Sequence, residues 1–460
     1  MTTLWSGRFD SAPDAAALEF GSSFRFDKRL FEDDVTGSLA WARALAGAGV
    51  LSAAEARDIE VALGEMLARG RTDPGWVDGS DEDVHSFVER VLVERLGDAG
   101  RRLHTGRSRN EQVSLDLRLY LRRRIPVLQR AVAEVVDALA RQADAAGDAL
   151  MPSFTHFRPA QPVLVAHFLL SHAAPLRRDF DRLAVASNEA DALPLGSGAI
   201  AGTAYAVDVE GLARDLGFSR IVPNSMDASS DRDFAATFLY ACAMTMVHLS
   251  RLAEDFIILC GDEHKFFELS DALSTGSSMM PQKKNPDPLE LVRGKSGRAI
   301  GHLMALLTTI KGLPTGYNKD LQEDKEGVFD AEDTLAGSLM VVKSVVAGVS
   351  LNRERAAAAA SGLLLATDVA DYLVGRGVPF RTAHEIVGAI VRKLVAERRD
   401  FASLSLDEWR AASDRFESDI AARITPRMSV EAKRTPQSTA PEAVNRRLAE
   451  VRAWLTVVLR

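Results

Sequence analysis

Four short islands of this chain concentrate the residue types that handle protons and anions. Each is rich in Gly, Ser or Pro and bordered by helical sequence. Residues 103–112 read LHTGRSRNEQ and gather His104, Thr105, Arg107, Ser108, Arg109 and Asn110 just before a long helix. Donors crowded at a helix start suit an anion, which the helix dipole also favours. The same residues equally serve N-capping and a solvated basic turn. Residues 155–162, THFRPAQP, set Thr155 and His156 before two prolines, with a helix expected from about Pro162. Imidazole is the side chain best matched to proton transfer near neutral pH, although a lone histidine equally serves structure. Residues 276–288, GSSMMPQKKNPDP, join a flexible Gly-Ser-Ser turn to Lys283 and Asn285. Such a turn can close over a ligand whose carboxylates Lys283 and Asn285 would hold; read blandly, it is a mobile surface loop. Residues 317–325, YNKDLQEDK, mix the neutral and cationic donors Tyr317, Gln322 and Lys325. Alone, that stretch reads as a solvated loop.

What is missing narrows the chemistry. The chain has no phosphate-binding loop of the P-loop type, no HExxH, no GxSxG and no paired Cys-x-x-Cys,. The islands therefore point to carboxylate recognition with no cofactor, nucleotide or metal expected. Only two cysteines occur, Cys242 and Cys260, both in an apolar helical stretch, so buried free thiols are expected,. The net charge of −8 excludes a surface that is basic throughout,. The local cluster Arg101, Arg102, Arg107 and Arg109 lacks the aromatic platform that single-stranded nucleic acid would use,. The start, MTTLWSGRFD, has no apolar core behind a basic end, and no run approaches 18 apolar residues,. A cytoplasmic protein without membrane contact is the expectation.

Long helices must position the islands. From residue 117 the apolar positions Leu117, Leu121, Ile125, Leu128, Val132, Val135 and Leu139 recur at steps of three and four, the period of one helix face,. Pro126 falls inside this run, and the stripe continues in phase beyond it, which predicts a kink rather than a break. A second helix is expected over about Asp233 to Phe267, striped by Leu239, Met246, Leu249, Ala253, Phe256 and Leu259. A third runs from near Pro288 to about Lys311, stopped by Gly312 and Pro314,. Its Gly294, Gly297 and Gly301 would let another helix approach closely. A fourth spans roughly Val328 to Gly348. The passage 196–209, GSGAIAGTAYAVDV, is non-helical, and strand signals are weak throughout. The fold class expected is all-α: an elongated bundle of long central helices with smaller helical N- and C-terminal domains. The parts would be 1–107, 108–355 (the oligomerisation bundle) and 356–460. Within the last part, loops fall near 375–381 and 434–441.

Together the islands resemble the argininosuccinate lyase family of the fumarase/aspartase superfamily. Residues 276–286 match that superfamily's signature GSSxMPxKxNP, and Gln282-Lys283-Lys284-Asn285 is the form of this family; fumarases typically carry Gly-Lys-Val there. LWSGRF at 4–9, DEDVH at 81–85, LHTGRSRN at 103–110, LPLGSGAIAG at 193–202 and YNKDLQEDK at 317–325 are similar to it too. Three departures stand out. Glu111 replaces the usual Asp, Phe157 and Arg158 replace Leu and Gln, and RTPQSTA at 434–440 lacks a paired glycine.

The resemblance implies reversible β-elimination of argininosuccinate to arginine and fumarate, in arginine biosynthesis, by general acid/base catalysis. It also implies a homotetramer whose active sites draw islands from three subunits. It assigns Ser277 as base and His156 as the acid-side residue, oriented by Glu290, with Lys283 beside Ser277. These two roles are the least fixed, since either group could take the other's part. Ser108, Asn110, Thr155, Lys283 and Asn285 would surround the succinyl carboxylates, joined by Tyr317, Gln322 and Lys325. Ser23 and Asp27 would hold the arginine end, with Asp83, His85, Arg109 and Arg232 in support. The rivals are a sister lyase, which Lys284 and the 317–325 island oppose, and a non-catalytic helical scaffold, which retention of Ser277, His156, Lys283 and Asn285 opposes.

Overall fold

The computed structural model describes residues 14–460; the motif LWSGRF at 4–9 lies outside them. Five long helices dominate: Arg109–Ala146, Val165–Ala190, Asp233–Cys260, Asp287–Ile310 and Asp324–Gly348. The first stripe is buried as its spacing requires: Leu117, Leu121, Ile125, Leu128, Val132, Val135 and Leu139 are all 0% exposed. Pro126 stays inside a continuous helix, as does Pro175 in the next. Leu239, Met246, Leu249, Ala253, Phe256 and Leu259 are likewise buried.

Two expectations are corrected. The Asp233 helix ends at Cys260, not near Phe267. Gly261 follows, and Phe267–Glu268 then pairs antiparallel with Ser350–Leu351. No helix starts at Pro162: Leu150–Thr155 and Arg158–Leu164 form an antiparallel hairpin, and the helix begins at Val165.

The chain divides into two compact units. Among the described residues the first comprises 14–128 with 182–243 and 298–334. Its helix Ala53–Thr72 opens on a Ser52/Glu55 capping box, and Val84–Leu96 opens on Asp83, whose carboxylate accepts from the Ser86 N–H at 2.7 Å,. Phe24, Phe31, Trp76 and Phe87 form an aromatic cluster with centroids 5.3–6.1 Å apart. Trp41 is fully buried, and its indole N–H donates to the Thr105 carbonyl at 3.2 Å,.

The second unit comprises 129–181, 244–297 and 335–460. Its C-terminal core gathers Leu373, Leu394, Phe401, Trp409 and Phe416. The second strand of the hairpin is tied down where the Leu164 N–H donates to Thr439 Oγ1 at 2.8 Å. Cys242 is buried and Cys260 half-buried; both are free, and burial pushes the Cys260 thiol up to about 12.

Along the Asp287–Ile310 helix one face stays uncovered. Leu291 is 60% and Met304 58% exposed, and a Cβ added at Gly294, Gly297 or Gly301 would meet nothing within 4 Å. Among the described residues no single helix is long and apolar enough to cross a membrane.

Candidate active site

A cleft of about 1670 Å³ opens in the first unit. Ser23, Asp27, Ser108, Arg109, Tyr317, Gln322 and Lys325, all singled out from sequence, line it, together with Asp83 and His85. Four stretches far apart in the chain thus meet on one surface. The fifth motif, 193–202, contributes Gly198, Ala199 and Gly202. Gly198, at φ +56, has its Cβ position 2.6 Å from the Gly202 carbonyl oxygen, so no side chain fits there,.

The island at 103–112 is both cap and site. The Ser108 hydroxyl accepts from the Asn110 N–H at 3.3 Å, and the Glu111 carboxylate accepts back from the Ser108 N–H at 3.1 Å. Glu111 reaches further, accepting from the Gly198 N–H at 2.9 Å. Asn110 donates its amide to the Ala199 carbonyl at 3.1 Å. Two cleft walls are therefore pinned together by one carboxylate and one amide. Burial lifts the Glu111 pKa to about 7, against the pull of the Ser108 and Gly198 N–H groups,.

Charge is placed unevenly around the cleft. Ser23 Oγ donates to Asp27 at 2.5 Å, and Asp27 also accepts from the Val84 N–H at 2.9 Å. Burial raises the Asp27 pKa, although the neighbouring His85 and Ser23 oppose it. Asp83 behaves in the opposite way. Burial alone would raise it, but the Arg109 guanidinium 2.5 Å away holds it far below the usual carboxylate range,. On the other side, Lys325 donates to Asp324 at 2.7 Å, and Asp324 also pairs with buried Arg232. Burial pushes the Tyr317 hydroxyl up to about 12, so it stays a neutral donor,. Gln322 donates to the Gly21 carbonyl at 3.1 Å.

The remaining predicted residues belong to the second unit and are not among those lining the cleft. Thr155 and His156 sit at the tip of the hairpin. Thr155 pairs with Arg158, and His156 and Phe157 form a two-residue turn with φ of 54° and 57°. Such turns favour Asn-Gly; a non-glycine residue held there costs roughly 1–2 kcal/mol. The tip is exposed, with Phe157 84% accessible.

Ser277, Lys283 and Asn285 belong to a second small hairpin, in which Thr275 pairs with Asn285 and Gly276 with Lys284. Ser277 Oγ accepts the N–H groups of Met279 at 3.3 Å and Met280 at 3.0 Å. Two donors aimed at a hydroxyl oxygen favour its deprotonated form. The adjacent lysines differ in kind. Lys284 is committed to the Leu269 carbonyl at 2.5 Å and to Asp271 at 2.8 Å. Lys283 is exposed, and its ammonium has no partner among the described residues. Glu290, in the first turn of the Asp287–Ile310 helix, lies 4.0 Å from Arg293; no hydrogen bond among the described residues joins it to His156.

Sequence reasoning missed the groups beneath the cleft floor, above all Asp34, Gln112 and Asp116. Gln112, Asp116 and Tyr120 recur every four residues, a polar line on a helix that otherwise buries leucines,. That period was the available signal.

Comparison with known proteins agrees with this arrangement. Residues 7–301 match the lyase family, and residues 363–431 match the argininosuccinate lyase C-terminal family. The argininosuccinate lyase of Moorella thermoacetica is 47% identical over 98% of both chains. That of Roseiflexus castenholzii is 49% identical over 98% of this chain and 99% of its own. Among solved structures, an EDDS lyase variant with bound fumarate superposes with a TM-score of 0.83 at 25% identity, covering 98% of this chain and 93% of that one. A class II fumarase from Schistosoma mansoni shares the fold, with a TM-score of 0.76 at 14% identity over 93% and 94% of the two chains. A signature loop, a cleft built from the matching motifs and full-length likeness converge, and the chain belongs to the argininosuccinate lyase family.

Proposed function

We propose that this protein is a carbon–nitrogen lyase that splits argininosuccinate into L-arginine and fumarate, reversibly and without a cofactor, in arginine biosynthesis in the cytoplasm. One observation carries the reading: the cleft gathers Ser23, Asp27, Ser108, Arg109, Tyr317, Gln322 and Lys325 from three distant stretches. Its charge pattern fits the substrate. Asp27 with Ser23 offers anionic acceptors for a guanidinium, whereas Lys325, Ser108 and the Tyr317 hydroxyl offer donors to carboxylates.

Elimination needs a base for the carbon-bound proton, donors for the carboxylate that takes up charge, and an acid for the departing nitrogen. Ser277 takes the first role, supported by the two N–H groups on its oxygen and by Lys283 nearby in sequence,. Lys283, Asn285, Thr155, Ser108 and Asn110 take the second; losing one such donor typically costs about 10²–10³ in rate. His156 takes the third, with Glu290 orienting its ring. Ser277, His156, Thr155, Lys283 and Asn285 stand on exposed hairpins, and the apolar face with Leu291 and Met304 is uncovered in one chain,. Both facts support a homotetramer in which islands from three copies complete each cleft.

The decisive assay follows arginine and fumarate released in equal amounts from argininosuccinate. Faster fumarate release from adenylosuccinate, malate or aspartate would sink the assignment. Shared sites have their own test. Ser277→Ala and Tyr317→Phe, neither of which strands a buried charge, should each be impaired alone, and co-refolded mixtures should regain a fraction of wild-type activity. No recovery would mean that each site is built from one copy.

A further inference from the structure

Beneath the cleft, His85, Asp34 and Asp116 form a buried cluster whose side chains are 2%, 0% and 0% exposed. Their ligand atoms lie within 4.8 Å of one another. His85 Nδ1 is 2.8 Å from Asp34 Oδ1 and 3.3 Å from Asp116 Oδ2. The Gln112 amide also donates to Asp34 Oδ1. Three carboxylate oxygens then remain sealed without any donor: Asp34 Oδ2 and both oxygens of Asp116. A buried carboxylate oxygen without a donor is expensive. The adjoining cavity, about 10 Å³, holds at most one water and is lined by Asp34, His85 and Arg107 but not by Asp116,.

Charge decides what the cluster holds. Two ionised carboxylates set against the Arg107 guanidinium alone leave one net negative charge. A single proton neutralises it, whereas a divalent cation would overshoot to one net positive charge, against the buried Arg107. We propose that Asp116 is protonated and donates to Asp34, that Asp34 accepts from the His85 Nδ1–H, and that this buried pair is a positioning device presenting Nε2 of His85 to the ligand cleft as an acceptor.

The surroundings agree. Burial, then the negative charges of Asp34 and Asp33, hold the Asp116 pKa well above the usual range. Burial opposes ionisation of Asp34 too, but His85, Arg107 and Gln112 keep its pKa below the usual value. The other charged groups facing the cluster come from every element around it: Asp33 on the Asp34 helix, Asp27, Asp83 and Glu89 near His85, and His104, Arg107, Arg109 and Glu111 on or just before the Arg109–Ala146 helix. Burial, with Arg107 and Arg109, holds His104 down at about 4, so it stays neutral above that pH.

Two readouts test this, and only the second rests on the cleft being the substrate site. The first is thermal stability against pH. A carboxyl whose folded pKa is raised binds a proton in the native state that the unfolded chain has released. Its contribution is complete below the unfolded pKa and is lost as pH rises toward the folded one. Asp116→Asn keeps a donor but has no proton to lose. Its Tm should stay within about 2 °C of wild type near pH 6 and gain on wild type toward pH 9. A pH-independent difference, or a chelator that lowers the wild-type Tm, would overturn the shared proton in favour of an ionised Asp116 or a bound cation.

The second readout is kinetic. Asp34→Asn, which removes the acceptor for Nδ1, should lower kcat/KM by about 10–100-fold, as losing a carboxylate that orients an imidazole commonly does. Asp116→Ala should fall in the same direction, and Asp116→Asn should restore activity to within about threefold of wild type. An Asp116→Asn variant as impaired as Asp116→Ala would overturn the donor role. The ¹⁵N shifts of the His85 ring should report an Nδ1–H tautomer in wild type and in Asp116→Asn, and a mixture in Asp34→Asn. An unchanged tautomer in Asp34→Asn would overturn the positioning role.

Discussion

The cleft of the first unit and the hairpins of the second solve opposite problems. Around the cleft, charges are buried and paired. Arg232 and Asp324 are each 0% exposed, Lys325 is 3% exposed, and Asp83 and Arg109 are locked to each other. On the two hairpins, His156, Lys283 and the tip of the Ser277 loop are exposed and lightly held, with Met279 87% and Phe157 84% accessible. A binding surface built in advance loses little order when ligand arrives. A group that must strip a proton from carbon gains from riding on a short segment able to shift. The contrast therefore separates residues whose loss should unfold the protein from residues whose loss should only stop it.

Four variants sharpen or break that contrast, in falling order of effect. Ser277→Ala should lose about 10²–10⁴ in kcat, the usual worth of a positioned proton acceptor, with KM and Tm near wild type. A lowered Tm would mean that the loop is structural after all. Asp324→Ala leaves Arg232 and Lys325 buried without their partner; removing one member of a buried pair costs about 3–5 kcal/mol, read by chemical denaturation,. A loss below about 1 kcal/mol there would erase the distinction between the regions. Lys283→Met removes an exposed charge and should lower kcat/KM by about 10²–10³-fold without moving Tm; unchanged kinetics would remove it from carboxylate capture.

Glu111→Gln is the subtlest. It forfeits one of the backbone hydrogen bonds to the carboxylate, worth about 1 kcal/mol. Because the folded pKa, about 7, exceeds the usual glutamate value of 4.5, wild type loses stability as pH rises between them,. The Tm gap between wild type and variant should therefore narrow from about pH 5 to about pH 8. A gap that widens would show that the carboxylate bonds outweigh burial.

The long helices were legible because a stripe such as Leu117 to Leu139 repeats often enough to declare its period. The hairpin at 150–164 was not. Pro152, Pro159 and Pro162 argue against strand, and nothing in His156-Phe157 signals a turn that normally wants Asn-Gly. Two strands with only each other as neighbours tolerate those prolines, since their outer edges need no N–H donors. The residues that line the cleft could be picked out because they cluster in sequence. The Asp34–His85–Asp116 cluster was not read, since its members sit on three different helices, Asp34 inside the acidic run 32–34 and Asp116 between leucines, and only packing brings the three together.

The bare glycine face of the Asp287–Ile310 helix offers an unusual reporter. Replacing Gly297 with alanine would favour helix by about 1 kcal/mol and touch nothing in its own chain. In the proposed homotetramer, where this face would meet a second copy, a defect from a larger side chain would report that contact. A graded series from alanine to leucine at that position would titrate the closeness of neighbouring copies, using steric bulk as a ruler.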